Sequence, residues 1–285
     1  MRQSIQITLT VPEGKRLIAK ALSLVPEIQE ALVHGLILLK GGTTVSALCE
    51  ELCGVPLRIS GRISATGTRA ARDESRAPHV VLLDHGRPQP LMDLEAMAST
   101  VRSMGPGDVS VMGANIIDAQ GNAAMMAGAE LGGAPGQVIS GLMAQGAHLF
   151  IAAGLEKMSP VSVGKAVLAA GRTRMKRSMG MAVGLIPIYG RLVTEMEALT
   201  ILGRSLGEEP AVSVIGRGGM DGAEGSTTFV VSGETDTLVE GVWEEVWRIK
   251  GSGHSGEEAS LPECAGAGPS CARHRSCCYV RRLGP

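Results

Sequence analysis

The sequence predicts an α/β protein with an open, mostly parallel sheet, helices on both of its faces and a small α+β subdomain. Short apolar runs recur along the chain, and stretches with helical periodicity separate them; the runs lie at 36–39, 80–83, 109–112, 149–153 and 182–188. Buried parallel strands are typically continuous apolar runs, and alternation of strands with helices favours βαβ crossovers. The glycines cluster at 41–42, 128–136 and 216–225, as turns between strands and loops require.

The elements follow in chain order from local patterns. Alternating side chains predict a strand at 4–11, and helical spacing predicts a helix at 13–33 that Pro26 interrupts. Apolar positions on one face predict helices at 45–53, 91–104, 137–145 and 161–170.

A change of composition after Gly190 marks a second unit. A helix is predicted at 195–202, a strand pair at 211–215 and 227–231, and an amphipathic helix at 235–249. The chain then becomes rich in Gly, Ser and Pro. We therefore predict an α/β domain at 1–190, a small α+β subdomain at 191–250 and a flexible, cysteine-rich tail at 251–285.

Composition narrows the classes of partner. The 285 residues are 44% hydrophobic and 19% charged with a net charge of -1, so no overall field favours nucleic acid or a membrane. Aromatic residues make up 2%, which argues against nucleic-acid readers that stack bases on rings. The sequence contains no uncharged apolar run of about 18 residues, and we expect no signal peptide, because the N-terminus continues directly into a predicted strand. We expect a cytoplasmic protein that binds neither nucleic acid nor membrane. The sequence does not decide whether it forms a homo-oligomer.

The stretch from Gly113 to Gly133 predicts a ligand site, because it is glycine-rich and directly follows an apolar strand. Asp118 and Glu130 are the candidate catalytic carboxylates. The candidate ligand-binding residues of this stretch are Gly113, Asn115, Gly132 and Gly133. Each role has a structural alternative. Asn115 and Asp118 would then cap a turn, and Glu130 would be a solvated loop carboxylate.

A second candidate loop reads Lys40-Gly41-Gly42-Thr43-Thr44 and lies between a predicted strand and a helix N-terminus. Free backbone N–H groups there favour an anion, which the lysine and the hydroxyls would help to hold. The alternative is a tight turn in which Thr43 or Thr44 caps the helix. Lys157 follows another predicted strand and is either a further anion contact at the same edge or a surface lysine.

Three further groups are weaker candidates. Arg172, Arg174, Lys176 and Arg177 form a basic cluster, interpreted as a solvated face or a phosphate contact. Cys264, Cys271, Cys277 and Cys278 lie within the last 22 residues and, with His274, are a candidate zinc or iron–sulfur site, although they contain no standard Cys-x2-Cys pair. Incidental thiols are the alternative. Cys49 and Cys53 are predicted to face the core from a helix.

The order of motifs over residues 36–160 resembles the superfamily of ribose-5-phosphate isomerase, glucosamine-6-phosphate deaminase, coenzyme A transferases and the regulatory subunits of translation initiation factor 2B. The loop at 40–44 resembles the phosphate-gripping loop of the isomerases, and Gly113-Ala114-Asn115 resembles their Gly-Ala-Asp strand end. Asp118 matches the second acid of that motif. Lys157, in the segment 153–160, resembles the Lys-x-x-Pro of the initiation-factor branch.

The resemblance implies a phosphorylated or coenzyme A-linked metabolite as ligand and isomerase-like or transferase-like chemistry. Coenzyme A is the one organic cofactor it suggests, and Glu130 is the candidate for an acylated glutamate. The chain departs from the isomerases at Met125, which stands where their catalytic lysine would be. We therefore keep a second hypothesis, a metabolite sensor or assembly protein that retains the pocket without catalysis.

Overall fold

The computed structural model describes residues 2–72, 76–266, 271, 274 and 276–279. In chain order its strands are β1 (Gln3–Leu9), β2 (Leu36–Lys40), β3 (Gly61–Ser64), β4 (Gly67–Ala70), β5 (Val80–Asp84), β6 (Arg87–Leu91), β7 (Val109–Gly113), β8 (Ile116–Ile117), β9 (Ala123–Ala127), β10 (His148–Ala152), β11 (Gly184–Ile188), β12 (Arg191–Val193), β13 (Ala211–Gly218) and β14 (Ser226–Gly233). Its helices are α1 (Val11–Ser23), α2 (Pro26–His34), α3 (Thr43–Cys53), α4 (Leu94–Ser103), α5 (Gly133–Gln145), α6 (Val163–Ala169), α7 (Glu195–Ser205) and α8 (Asp236–Ile249). The chain is thus mixed α/β, as predicted.

The central sheet has six strands in the order β12-β10-β7-β2-β5-β6. The strands β12, β10, β7 and β2 run parallel, whereas β5 and β6 are antiparallel to their neighbours. The sheet is therefore mixed, and the open parallel arrangement expected from the sequence is not confirmed in that form. The run at 182–188 also lies elsewhere, because β11 pairs with β9 in a separate three-stranded sheet.

A tight hairpin reverses the chain between β5 and β6. His85 and Gly86 join β5 to β6 with φ values of 49° and 75°. Positive φ at both central residues is typical of a type I′ turn, whose twist matches that of paired strands. Pro88 and Pro90 restrict β6 to the edge of the sheet, since proline cannot donate to a further neighbour.

Helices cover both faces of the central sheet, as predicted. On one face Ile37 and Leu39 of β2 share a buried cluster with α1, α3 and α7. On the other face Leu38 shares a second cluster with α4 and α5. The alternation follows from the period of two along a strand.

The predicted subdomain shares its sheet and its core with the rest of the chain. The first strand, β1, pairs antiparallel with β14, which also pairs with β13. Phe229 and Val231 of β14 belong to the same buried cluster as the central sheet. The pattern of α7, two strands and α8 agrees with the predicted helix-strand-strand-helix unit, and the division into domains stays a prediction.

The described part of the segment predicted as a flexible tail makes specific contacts with the body. The backbone N–H of Gly251 donates to Glu13 Oε1 over 2.8 Å, and the Ser255 hydroxyl donates to Glu50 Oε1 over 2.7 Å. The Ser260 hydroxyl accepts from the backbone N–H of Ile59 over 2.9 Å. Residues 251–260 therefore lie against α1, α3 and the region before β3.

A search for membrane-spanning segments was negative: none of the helices in the described ranges combines the length and apolar character that crossing a bilayer requires.

Candidate functional site

The carboxyl ends of four parallel strands meet at one edge of the central sheet. In the register of the sheet Lys40 pairs with Met112, and Ala152 pairs with both Gly113 and Val193. The loops that leave these strands therefore converge, and such an edge is where ligands bind in α/β sheets. The structure places the loop at 40–44, Gly113 and Lys157 at this edge, as the sequence predicted.

The N-terminus of α3 opens onto this edge. Gly42 is its N-cap, and no side chain caps the helix. The alternative in which Thr43 or Thr44 is the N-cap therefore does not hold, because both residues lie within the first turn. The Thr44 hydroxyl is buried, with the residue 2% exposed, and has no hydrogen-bond partner in the described part of the chain. Unpaired backbone N–H groups and a free hydroxyl favour an anion.

Lys40 places a positive charge at the end of β2, on the face of the sheet that Leu38 shares with α4 and α5. Its Nζ lies 3.6 Å from the Met125 sulfur, and burial together with the charge of Lys157 lowers its pKa to about 8. A thioether is a weak acceptor without a negative charge, so this contact does not compensate the ammonium group. A bound anion would supply the counter-charge that the neighbouring Met125 does not.

His79 joins the same group and was missed by the sequence analysis. Its Nδ1 lies 2.9 Å from the carbonyl oxygen of Arg58, and its own carbonyl accepts from the backbone N–H of Gly41 over 2.7 Å. Burial and the charge of Lys40 lower its pKa to about 3, so its imidazole is neutral at pH 7. With the Nδ1 proton directed at Arg58, Nε2 is an acceptor.

Four ionisable side chains form a buried ionic cluster on the loops after β10 and β12. It consists of Lys15 of α1, Glu156 and Lys157 of the turn after β10, and Glu195 at the first position of α7. The Lys15 Nζ lies 3.8 Å and the Lys157 Nζ 4.0 Å from Glu156 Oε1. Neither carboxylate oxygen of Glu156 has a hydrogen-bond partner in the described residues, so the cluster has unused acceptor capacity.

Glu195 is the most perturbed carboxyl group of the cluster. The residue is 4% exposed, and its Oε2 accepts from the backbone N–H of Leu155 over 2.8 Å. Burial, and secondarily the charge of Glu156, raises its pKa to about 7. A carboxyl group that titrates near neutral pH can both give and take a proton.

Two glycines make room for Glu195. A Cβ at Gly14 of α1 would lie 2.6 Å from Glu195 Oε1. A Cβ at Gly154 would lie 2.6 Å from the same oxygen and would also collide with Oε2 of Glu156. The two carboxylates therefore approach each other over Gly154, close to α1.

The lysines of the cluster are perturbed as well. Burial and the nearby Lys157 lower the pKa of Lys15 to about 8, and burial lowers the pKa of Lys157. Lys157 also lowers the pKa of Lys40, so its charge links the buried ionic cluster to the loop at 40–44. Several perturbed groups at one sheet edge are typical of a functional site. Lys40 and Lys157 were predicted from the sequence, whereas Lys15, Glu156 and Glu195 were not.

Asp118 was predicted to be catalytic, with turn capping as the alternative. Its hydrogen bonds are those of a turn cap. Its Oδ1 accepts from the backbone N–H groups of Gln120 and Asn122, both over 3.0 Å. Its Oδ2 accepts from the backbone N–H of Val163, at the start of α6, over 2.9 Å, and the Asn122 amide donates to both oxygens. These donors lower the pKa of the buried Asp118, the largest effect coming from Val163. The carboxylate thus joins the turn between β8 and β9 to α6.

Asn115 and Glu130 also lie in surface turns. The Asn115 Oδ1 accepts from the backbone N–H of Met126 over 2.8 Å, which caps the β8–β9 hairpin. Glu130 is exposed and begins a short 3-10 turn that ends at Gly132. The stretch predicted as one long glycine loop therefore contains a hairpin and a turn.

Gly132 lies in a separate open cleft. The cleft is lined by Arg172, Leu131, residues of β11 and the end of β9. Gly132 and Gly133 have φ values of 77° and 69°, which non-glycine residues rarely adopt. Gly132 and one member of the basic cluster, Arg172, therefore line a cleft to which Lys40 does not contribute.

The four cysteines of the tail differ in exposure. Cys277 is buried, Cys278 is exposed, and Cys264 and Cys271 are partly exposed. Over the described ranges, the structure groups no three His, Cys, Asp or Glu side chains in a way that could hold a metal ion. Residues 267–270, 272–273, 275 and 280–285 lie outside those ranges, and the zinc or iron–sulfur site stays a prediction.

Compared with protein-family models, with curated proteins and with solved structures, the chain matches none of them.

Proposed function

We propose that the chain binds a phosphorylated or coenzyme A-linked small metabolite through its anionic group at the edge formed by Lys40, Lys157 and the first turn of α3. The observation that carries the proposal is the presence, at the end of β2 and in the loop that follows it, of the Lys40 ammonium group, an uncapped helix N-terminus and a buried Thr44 hydroxyl without a hydrogen-bond partner among the described residues. Phosphate is the anion that such a combination of charge and N–H donors accommodates best.

Proton transfer in this proposal belongs to Glu195 in place of Asp118 and Glu130. The Asp118 carboxylate is occupied by backbone and amide donors. Glu195 instead has a pKa raised to about 7 and lies in the same cluster as Lys157. The resulting activity is isomerase-like or transferase-like, in line with the resemblance of the loops at 40–44 and 113–118.

One observation favours the second candidate function, a metabolite sensor without catalysis. Met125 stands where the isomerases have their catalytic lysine, and its sulfur contacts Lys40. The two functions differ in whether a bound ligand is chemically converted. A compound that raises the melting temperature and is recovered unchanged supports the sensor, whereas turnover that is lost in Glu195→Gln supports the enzyme.

Lys40→Met should lose affinity for the phosphorylated ligand without losing stability. A thermal-shift screen with inorganic phosphate, sugar phosphates, nucleotides and acyl-coenzyme A compounds would first identify a ligand. Removing one charged contact to its phosphate should weaken binding by about 10- to 100-fold, measured by calorimetry. Because the buried ammonium group opposes folding, the unliganded variant should be at least as stable as the wild type.

Lys176→Met is the matched control, because Lys176 is exposed and lies in the basic cluster. It should bind like the wild type. Equal affinities of the Lys40 and Lys176 variants would refute the assignment of the anion site to the loop at 40–44.

A further inference from the structure

Helix α3 carries two thiols one turn apart. The Cys49 and Cys53 sulfur atoms are 3.6 Å from each other, and neither forms a disulfide. Cys49 is fully buried, whereas Cys53 is partly exposed at the last residue of the helix. Gly54 follows with φ of 74°, so the helix ends directly after Cys53. Cys53, whose thiol donates to the carbonyl oxygen of Cys49 over 3.1 Å, is therefore the more accessible of the two residues.

We propose that Cys53 and Cys49 form a peroxide-reactive dithiol, in which Cys53 is the thiol that is oxidised and Cys49 the thiol that resolves it into a disulfide. The inference rests on the sulfur–sulfur contact and on the unequal exposure of the two residues. It is independent of the proposed ligand site, although both lie on α3.

The contact between the two sulfur atoms also makes the pKa values of the two thiols differ. A hydrogen bond from Cys49 lowers the pKa of Cys53 to about 7. The same hydrogen bond and burial raise the pKa of Cys49. The thiolate is the reactive form of cysteine, and the fastest attacking thiol has a pKa near the ambient pH.

The reaction balances with a hydroperoxide as the only oxidant. The Cys53 thiolate attacks one peroxide oxygen, so that a sulfur–oxygen bond forms, the oxygen–oxygen bond breaks, and the leaving oxygen takes a proton. The Cys49 sulfur then attacks the Cys53 sulfenic acid, forms the disulfide and releases water, with its own proton going to the departing hydroxide. Two thiols and one hydrogen peroxide give one disulfide and two waters.

The backbone can accommodate this bond at the end of α3. Residues four apart on a helix have Cβ atoms about 5–6 Å apart, whereas a disulfide requires about 3.8 Å. The last turn must therefore tighten, which is possible at Cys53 because the helix ends there. Hydrogen exchange should consequently change at residues 53–55 on oxidation and stay the same at the first turn of α3.

Peptide mapping tests the proposal on the full-length protein. The protein is treated with hydrogen peroxide, its remaining thiols are blocked with N-ethylmaleimide, and it is digested with trypsin. The tryptic peptide 41–58 contains Cys49 and Cys53 and no other cysteine. In the reduced protein it should carry two labels, and after oxidation it should carry none and be lighter than the dithiol by two hydrogens.

Single variants assign the two roles. Cys49→Ser should stop at the sulfenic acid, which dimedone traps on Cys53, whereas Cys53→Ser should keep Cys49 reduced at the same peroxide dose. The exposed Cys278 reports that the dose was sufficient. A wild-type peptide that stays a dithiol while Cys278 is oxidised would overturn the proposal, as would a Cys49→Ser protein without dimedone label on Cys53.

Discussion

Asp118→Ala is expected to lower the free energy of unfolding by about 3–5 kcal/mol, measured by urea denaturation at pH 7. The substitution removes the acceptor for three backbone N–H groups, those of Gln120, Asn122 and Val163. Val163 is buried, so its N–H group without an acceptor costs about 1–3 kcal/mol, whereas each of the two hydrogen bonds from the exposed Gln120 and Asn122 contributes about 0.5–1.5 kcal/mol. The loss should appear without any ligand present, since the carboxylate stabilises the connection between the β8–β9 turn and α6.

The pH dependence of this effect has a defined sign. Hydrogen bonds lower the pKa of Asp118 in the folded protein, so its stabilisation is fully present above the unfolded pKa of about 3.9. As the pH falls further, protonation of the folded protein removes that stabilisation. The difference between Asp118→Ala and wild type should therefore be largest at neutral pH and shrink in acid.

Glu130→Ala is the control for Asp118→Ala. Both residues were predicted from sequence to be catalytic, but Glu130 is exposed in a turn. Its substitution should change stability by no more than about 0.5 kcal/mol. If Asp118→Ala were as stable as Glu130→Ala and lost only turnover, the catalytic interpretation of Asp118 would be restored.

Local patterns located most elements but not the direction of the strands. The apolar run at 80–83 is a strand in either direction, and periodicity carries no sign of direction. The turn at His85-Gly86 joins β5 and β6 as a hairpin, but it does not fix the direction of β5 relative to β2. Because β5 is antiparallel, its first residues lie beside Lys40, so His79 joins the candidate site. A parallel β5 would have placed His79 at the opposite edge.

The anion-binding half of the site was predictable, whereas the buried ionic cluster was not. The loop at 40–44 follows an apolar run and contains its charged and hydroxyl groups within five residues. Lys15 and Glu195 instead occupy positions that are usual for exposed helix residues, and Glu195 also begins α7 in an ordinary capping box. Only the packing of α1 against α7 and the turn after β10 buries these charges together. Tertiary contacts of this kind cannot be predicted from the local sequence pattern.

The free energy of unfolding of the wild type should fall as the pH rises from about 4.5 to 7. Glu195→Gln is expected to abolish this fall. The pKa of Glu195 is about 7 in the folded protein and near 4.5 in the unfolded chain. In that window the folded protein holds a proton that the unfolded chain has lost, so the wild type becomes less stable as the pH rises. A shift of this size corresponds to about 3 kcal/mol. The substituted amide retains an oxygen for the N–H of Leu155 and cannot ionise, so the variant should be the more stable protein at pH 7.5 and equal to the wild type near pH 4.5.

Urea denaturation of wild type and variant across this pH range measures the effect, with Glu240→Gln as the control at an exposed position of α8. The Glu240 variant should follow the wild-type curve. Parallel curves for Glu195→Gln and wild type would show that Glu195 does not titrate in this window, and the assignment of proton transfer to this residue would fail with it. The expected divergence would instead show that the fold maintains an ionised Glu195 above pH 7 at a cost in stability. Such a cost is typical of groups retained for function, because a well-packed neutral side chain would serve stability better.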